Sequence, residues 1–204
     1  MKPELLEHLD KVRDKVSQVD RIISSHEYPG DDTRTVMVRG LLSTIIEYHR
    51  SMLQLIKTGA VASSRALTRD IVQGMRHGLW INGCATPEQI LRIKEGDEWP
   101  LTLPEMIKEI DAANTANVFF QSLKNRWGSQ LHKYSISGLV RLGRWHIDPS
   151  SRLTYGDEEI RDLSTIATLC ILVLAANFLD RQNYGADCQQ VQALAGLGLS
   201  ASHG

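Results

Sequence analysis

Apolar residues recur along the chain with a helical period, beginning close to the N-terminus. The first such segment should start at Pro3, which suits the first position of a helix, and end at about Ser24. Its apolar positions are Leu5, Leu9, Val12, Val16, Val19 and Ile23. They form a heptad seam, which predicts either packing within a helix bundle or a helix shared across a dimer.

Two further helices should follow, each antiparallel to the one before it. The segment from His26 to Asp32 contains a strong turn signal, and helical period returns from Thr33 to Lys57. Gly59 ends this second helix. A third helix, which contains Arg65 to Trp80, follows after a connection so short that the two helices should be neighbours.

Capping residues predict shorter helices in the middle of the chain. Thr86 and Pro87 suit a helix start, and Gly96 suits its stop. A second short helix should begin at Thr102–Glu105, and a third is predicted over Asn114–Trp127.

The last long helix should run from Asp157 to about Arg181, with acidic residues at its positive N-terminal end. Its apolar run, Ile166 to Leu179, is about 14 residues long and falls short of the roughly 20 that cross a bilayer. We therefore expect a buried core helix. No association with a membrane is predicted.

Few segments have a strand pattern, so the sequence predicts an all-α fold. With 204 residues, of which 42% are hydrophobic and 23% charged, the chain suits one domain. We expect a bundle of about five to seven helices over residues 1–185. Residues 186–204 are rich in Ala, Gly and Ser, and should form a partly disordered tail that begins as a short helix.

Cysteine usage and the N-terminal residues favour the cytoplasm. Cys84, Cys170 and Cys188 cannot all pair with one another and lack the short spacing of a metal site, which favours free thiols in a reducing compartment. The first residues are charged and periodic, unlike a secretion signal.

Charge is unevenly distributed although the net charge is only −1. Residues 124–152 carry +5, whereas residues 88–111 carry −4. Two interpretations remain open. The two segments pair within one fold, or the basic segment forms an exposed face that binds anions.

Three arginines and a glutamine form one row of the third helix. At about 100° per residue, Arg65, Arg69, Gln73 and Arg76 fall within an arc of roughly 80°, beside an apolar face. The row is explained either by ion pairs with acids such as Glu47 or by an anionic ligand, with Trp80 as one wall of a pocket. The predicted ligand-binding residues are Arg65, Arg69, Gln73, Arg76 and Trp80.

The common catalytic motifs are missing from the sequence. It contains no Glu-x-x-His, Gly-x-Ser-x-Gly, His-Glu-x-x-His or Cys-x-x-Cys, and its glycine-rich stretch lacks the lysine of a phosphate loop. These absences argue against di-iron proteins, common hydrolases, zinc proteases and NTPases. No metal or cofactor is predicted, and His49 and His77 are interpreted as surface or capping residues.

One pair of residues remains as a weak candidate for catalysis. Arg126 and His132 are six positions apart in the basic segment, and an imidazole and a guanidinium suit proton transfer beside a phosphate. The spacing resembles the arginine–histidine motif of HEPN ribonucleases, which are all-helical. Aromatic residues that stack bases, or pack in a core, lie close by: Trp127, Tyr134 and Trp145.

The chain also resembles an uncharacterised bacterial all-helical family, a domain of unknown function. One similar block is Ser64 to Trp80, and the other contains Lys124, Trp127, Leu131, His132, Tyr134 and Gly138. Gln73 and Ile136 replace the glutamate and the histidine that the family pattern predicts. The resemblance implies a helical fold and brings no established activity.

The sequence contains an ordered row of arginines but no complete set of catalytic residues. This combination favours a non-catalytic helical module. We expect a cytoplasmic homodimer that binds an anionic ligand, nucleic acid or a protein partner. The alternative is a HEPN-like, metal-independent endoribonuclease in a toxin or phage-defence role, with Arg126 and His132 as catalytic residues.

Overall fold

The computed structural model describes residues 1–28, 30, 32–96, 99–113, 121, 125 and 155–196. Over these residues the fold is all-α, as predicted, with seven helices. They are α1 (Pro3–Ser24), α2 (Thr33–Lys57), α3 (Val61–Gly83), α4 (Pro87–Lys94), α5 (Leu103–Ala113), α6 (Asp157–Arg181) and α7 (Gly185–Leu194).

The best-predicted boundaries are those with a local physical cause. Pro3 opens α1, and the Asp32 carboxylate accepts a hydrogen bond from the first turn of α2. Thr86 and Gln89 form a capping box at the start of α4. These interactions involve residues at most three positions apart, so the sequence shows them directly.

Side-chain pairs establish the helix directions. Lys2, at the N-cap of α1, and His8 of α1 contact Asp157 and Ser164 of α6 in the same order along both helices, so α1 and α6 are parallel. The same holds for α3 and α6, where Arg65 pairs with Glu159 and Asn82 with Asn177. By contrast α2 is antiparallel to α6, because His49 contacts Thr168 and Thr35 contacts Gln182.

The long helix α6 lies in the centre of the bundle. It packs against α1, α2, α3 and α7. Every residue from Ile166 to Ala176 is buried, so this stretch has no solvent face. Within the described part of the chain, α6 is the one helix long and apolar enough to cross a membrane. However, 83% of its apolar window is buried inside the protein, as in a core helix. The prediction of a long buried C-terminal helix is confirmed.

The heptad seam of α1 is buried against other helices of the same chain. All six of its apolar residues are at most 6% exposed, and the helix packs against α6 and α2. Packing within a bundle is therefore the correct interpretation of the seam. A homodimer stays a prediction, and it no longer draws support from these residues.

The start of the Ala/Gly/Ser-rich tail forms α7. Cys188 and Val191 are buried there, and the Cys188 thiol lies 3.4 Å from the Ala176 carbonyl oxygen of α6. Near the same end of the bundle, His26 lies 2.7 Å from the Asp187 carboxylate and stacks on Tyr184. Residues 197–204 lie outside the described residues.

Candidate functional site

The arginine row, defined as Arg65, Arg69, Gln73 and Arg76, lies along a flank of α3. All four side chains are partly buried. One edge of the row borders the core, where Thr68 and Val72 are fully buried. The row therefore combines polar side chains with a position fixed by packing.

Two glycines bring α3 close to its neighbours. A Cβ at Gly74 would come within 2.5 Å of Ile45 Cγ2 on α2. At Gly78 it would lie 2.5 Å from Leu174 Cδ2 on α6. Both contacts require a residue without a side chain. They hold α3 against both helices and fix the arginine row relative to α6.

Arg65 contacts the N-terminal end of α6. Its Nη1 donates to Glu159 Oε1 at 2.8 Å, and the two side chains are 26% and 25% exposed. The guanidinium also lies 6.0 Å from the centre of the Tyr155 ring. The carboxylate that pairs with Arg65 thus comes from α6 rather than from Glu47 of α2, which is exposed.

Arg76 lies farther along the same side of α6. Burial lowers the pKa of its guanidinium, and the buried Cys170 thiol of α6 is close by. An arginine remains protonated despite such a shift. Burial also raises the pKa of Cys170 to about 12, so this thiol stays neutral and leaves the positive charge of Arg76 in place.

Trp80 is fully buried and does not present a ring face to solvent. Its indole Nε1 donates to Glu109 Oε2 of α5 at 2.6 Å, and Trp99 meets it edge to face at 6.3 Å. Trp99 also stacks on His77 at 4.1 Å. Trp80 therefore anchors α5 and places a carboxylate at the C-terminal end of the row.

Arg34 holds the C-terminal end of α3, a role that the sequence analysis missed. Its guanidinium donates to the carbonyl oxygens of Ile81, Asn82 and Ala85, the last at 2.6 Å. The carbonyls of Ile81 and Asn82 belong to the last turn of α3, where no helical N–H follows to pair with them, and Ala85 lies just beyond the helix. A cation suits this negative helix end. A signal was available, because a cation in the first turn of α2 is unfavourable there and needs a partner elsewhere.

His49 is fully buried, so its interpretation as a surface or capping residue is wrong. It lies on the apolar face of α2 between Ile45 and Met52, at positions spaced four and three residues apart. That periodicity was the available signal. His77 is partly buried beside Trp99, and burial lowers its pKa.

Hydrogen bonding determines the tautomer of His49. The Thr168 hydroxyl donates to the Ser164 carbonyl oxygen at 2.8 Å, which uses its single proton. His49 Nε2, 3.0 Å from the same hydroxyl, must therefore be the donor. Nδ1 is then a bare acceptor, and it has no hydrogen-bond partner. Burial lowers the pKa of His49 to about 4 and keeps the ring neutral.

The predicted catalytic pair, Arg126 and His132, lies outside the described residues, as do Trp127, Tyr134 and Trp145. The structure therefore does not test whether the pair comes together. Among the residues that it does describe, no group of three or more histidine, cysteine, aspartate or glutamate side chains is placed to hold a metal ion.

Comparisons with family models, curated proteins and solved structures found no match. The resemblance to an uncharacterised helical family therefore stays a prediction from the two sequence blocks. Any functional conclusion rests on the geometry of the arginine row.

Proposed function

We propose that the protein is a non-catalytic helical module that binds a phosphate-bearing ligand along the arginine row. The observation that carries the proposal is the placement of the row. Three guanidinium groups and one amide lie partly buried along about 16 Å of a single helix. That helix is clamped against two neighbours through Gly74 and Gly78.

The chemistry of arginine suits the binding of a phosphate group. Its planar guanidinium keeps its charge and donates paired hydrogen bonds that match a phosphate group. Side chains on a packed helix lose less conformational freedom on binding than side chains on a loop. Partial burial strengthens their electrostatic interactions relative to those in open solvent.

The proposal is tested by thermal unfolding of the purified protein with inorganic phosphate, pyrophosphate, a nucleoside triphosphate and single-stranded RNA. We expect at least one of them to raise the Tm of the wild type. Arg69→Gln should weaken that ligand at least about tenfold, because charge-assisted hydrogen bonds are typically worth 1.5 kcal/mol or more. Arg13→Gln is the matched control, since Arg13 lies on α1 and is 50% exposed.

A wild type that responds to none of these anions refutes the proposal. The same RNA sample tests the ribonuclease alternative. Cleavage by the wild type that is lost in His132→Ala would replace the binding module by a HEPN-like endoribonuclease. The cytoplasmic location and the homodimer stay predictions from the sequence.

A further inference from the structure

We infer that the ligand of the arginine row is a compact phosphate or diphosphate group on a small molecule, rather than an extended polyanion. The inference rests on the proposed function and deepens it. It is carried by the two carboxylates, Glu159 and Glu109, that the structure places at opposite ends of the row.

At the N-terminal end, the carboxylate of Glu159 is bound to the Arg65 guanidinium at 2.8 Å. Both side chains are about three-quarters buried, so water screens this negative charge less than it would a charge on the open surface. An anion that extends past Arg65 therefore meets a fixed carboxylate. Glu159 also belongs to the rigid helix α6, which cannot swing aside as a loop would.

At the C-terminal end, the carboxylate of Glu109 accepts a hydrogen bond of 2.6 Å from the Trp80 indole. Trp80 lies one helical turn beyond Arg76 and is fully buried, and its indole holds the carboxylate of the otherwise exposed Glu109 by this hydrogen bond. An anion that extends in this direction meets a second negative charge.

The length of the row between these charges sets the size of the ligand. Arg69 and Arg76 are seven positions apart, which corresponds to about 10 Å along the helix axis. Their long side chains can converge on one phosphate or diphosphate group between them, with the Gln73 amide as a neutral donor. Such a group stays clear of both carboxylates, whereas a nucleic-acid strand would continue past one of them or both.

The test compares two probes, pyrophosphate and a single-stranded RNA octanucleotide, by titration calorimetry at one fixed salt concentration. The variant is the double substitution Glu159→Gln with Glu109→Gln. Glutamine keeps an oxygen that accepts from Arg65 or Trp80 and removes only the negative charge. Glu47→Gln is the matched control, because Glu47 is an exposed glutamate on the outer face of α2.

We expect the wild type to bind pyrophosphate more tightly than the octanucleotide. The double variant should gain at least tenfold for the octanucleotide and less than threefold for pyrophosphate, while Glu47→Gln changes neither. A wild type that prefers the octanucleotide, or a double variant without the selective gain, overturns the inference and leaves the proposed function standing. A wild type that binds neither probe overturns the inference, whereas the proposed function falls only if the thermal-unfolding test finds no response to any of its four anions.

Discussion

At the scale of single residues, burial decides what a polar side chain can do. His49 illustrates this, because the sequence presents only a histidine within an apolar period. In the bundle the ring donates to Thr168 and leaves Nδ1 as a buried acceptor. A proton on that nitrogen would place an uncompensated charge in the core, which explains the low pKa.

The first prediction concerns the acid stability of the protein. The pKa of His49 is about 4 in the folded state and about 6.5 in the unfolded chain. The unfolded state therefore binds more protons below pH 6.5. The free energy of unfolding should be greatest above that pH and fall by up to roughly 3 kcal/mol as the pH drops through 4. Urea unfolding at a series of pH values measures this loss.

His49→Gln isolates the contribution of this ring. Glutamine can still donate to Thr168 but does not titrate, so the variant should lose part of the dependence on pH between 6.5 and 4. Its stability at pH 8 provides the baseline for comparison. If the wild type and His49→Gln show the same slope, another group controls the acid sensitivity.

At the scale of helices, local sequence signals were sufficient to predict where each long helix begins and ends. They were not sufficient to predict which helices pack against each other. The bounds of α1, α2 and α6 follow from prolines, acidic first turns and apolar periods. The helix that packs against each apolar face does not follow from these signals. The seam of α1 was also compatible with a dimer, and the structure assigns it to α6 and α2.

The second prediction concerns the contact between α3 and α6. Gly78→Ala should destabilise the protein by about 1–3 kcal/mol, because the new methyl group would overlap the buried Leu174 side chain. Gly40→Ala is the matched control within a helix. Beyond the backbone of its own helix, no described residue comes within 4 Å of where an alanine Cβ would lie at Gly40, so alanine there should stabilise by up to about 1 kcal/mol.

Urea unfolding of both variants against the wild type measures these effects. Equal stability of Gly78→Ala and wild type would mean that Leu174 moves aside without cost. The close packing of α3, on which the rigidity of the arginine row depends, would then lose its support.

At the scale of the whole molecule, the central position of α6 determines which cysteine side chains are shielded from solvent. Cys170 is 0% exposed and Cys188 is 5% exposed, whereas Cys84 is partly exposed. All three thiols are free, as their number and spacing predicted. Burial raises the pKa of each of them, to about 12 for Cys170 and about 11 for Cys188.

The third prediction follows from this burial. In the native protein at neutral pH, a thiol reagent such as Ellman's reagent should modify at most Cys84, and slowly, because only the exposed thiolate reacts. All three thiols should react in urea. Cys84→Ser should abolish the reaction of the native protein. Rapid modification of two or more thiols without denaturant would contradict the packing of α6 and α7.

The arginine row shows how far sequence reasoning reached into the site. Helical geometry was enough to place Arg65, Arg69, Gln73 and Arg76 on one side of α3. It could not identify the carboxylates at the two ends, because Glu159 and Glu109 are 94 and 29 positions from the side chains that they contact. Nor could it show that Trp80 faces the core.

The sequence by itself determined the fold class, the bounds of the long helices and the alignment of the arginine row, since these depend on interactions within a few residues. Only the tertiary structure decided that α6 is central, that α1 packs inside the chain and that carboxylates terminate the row. These outcomes depend on contacts between residues far apart in the chain. The periodicity of one helix shows that a face must be covered, but it does not specify which other helix covers it.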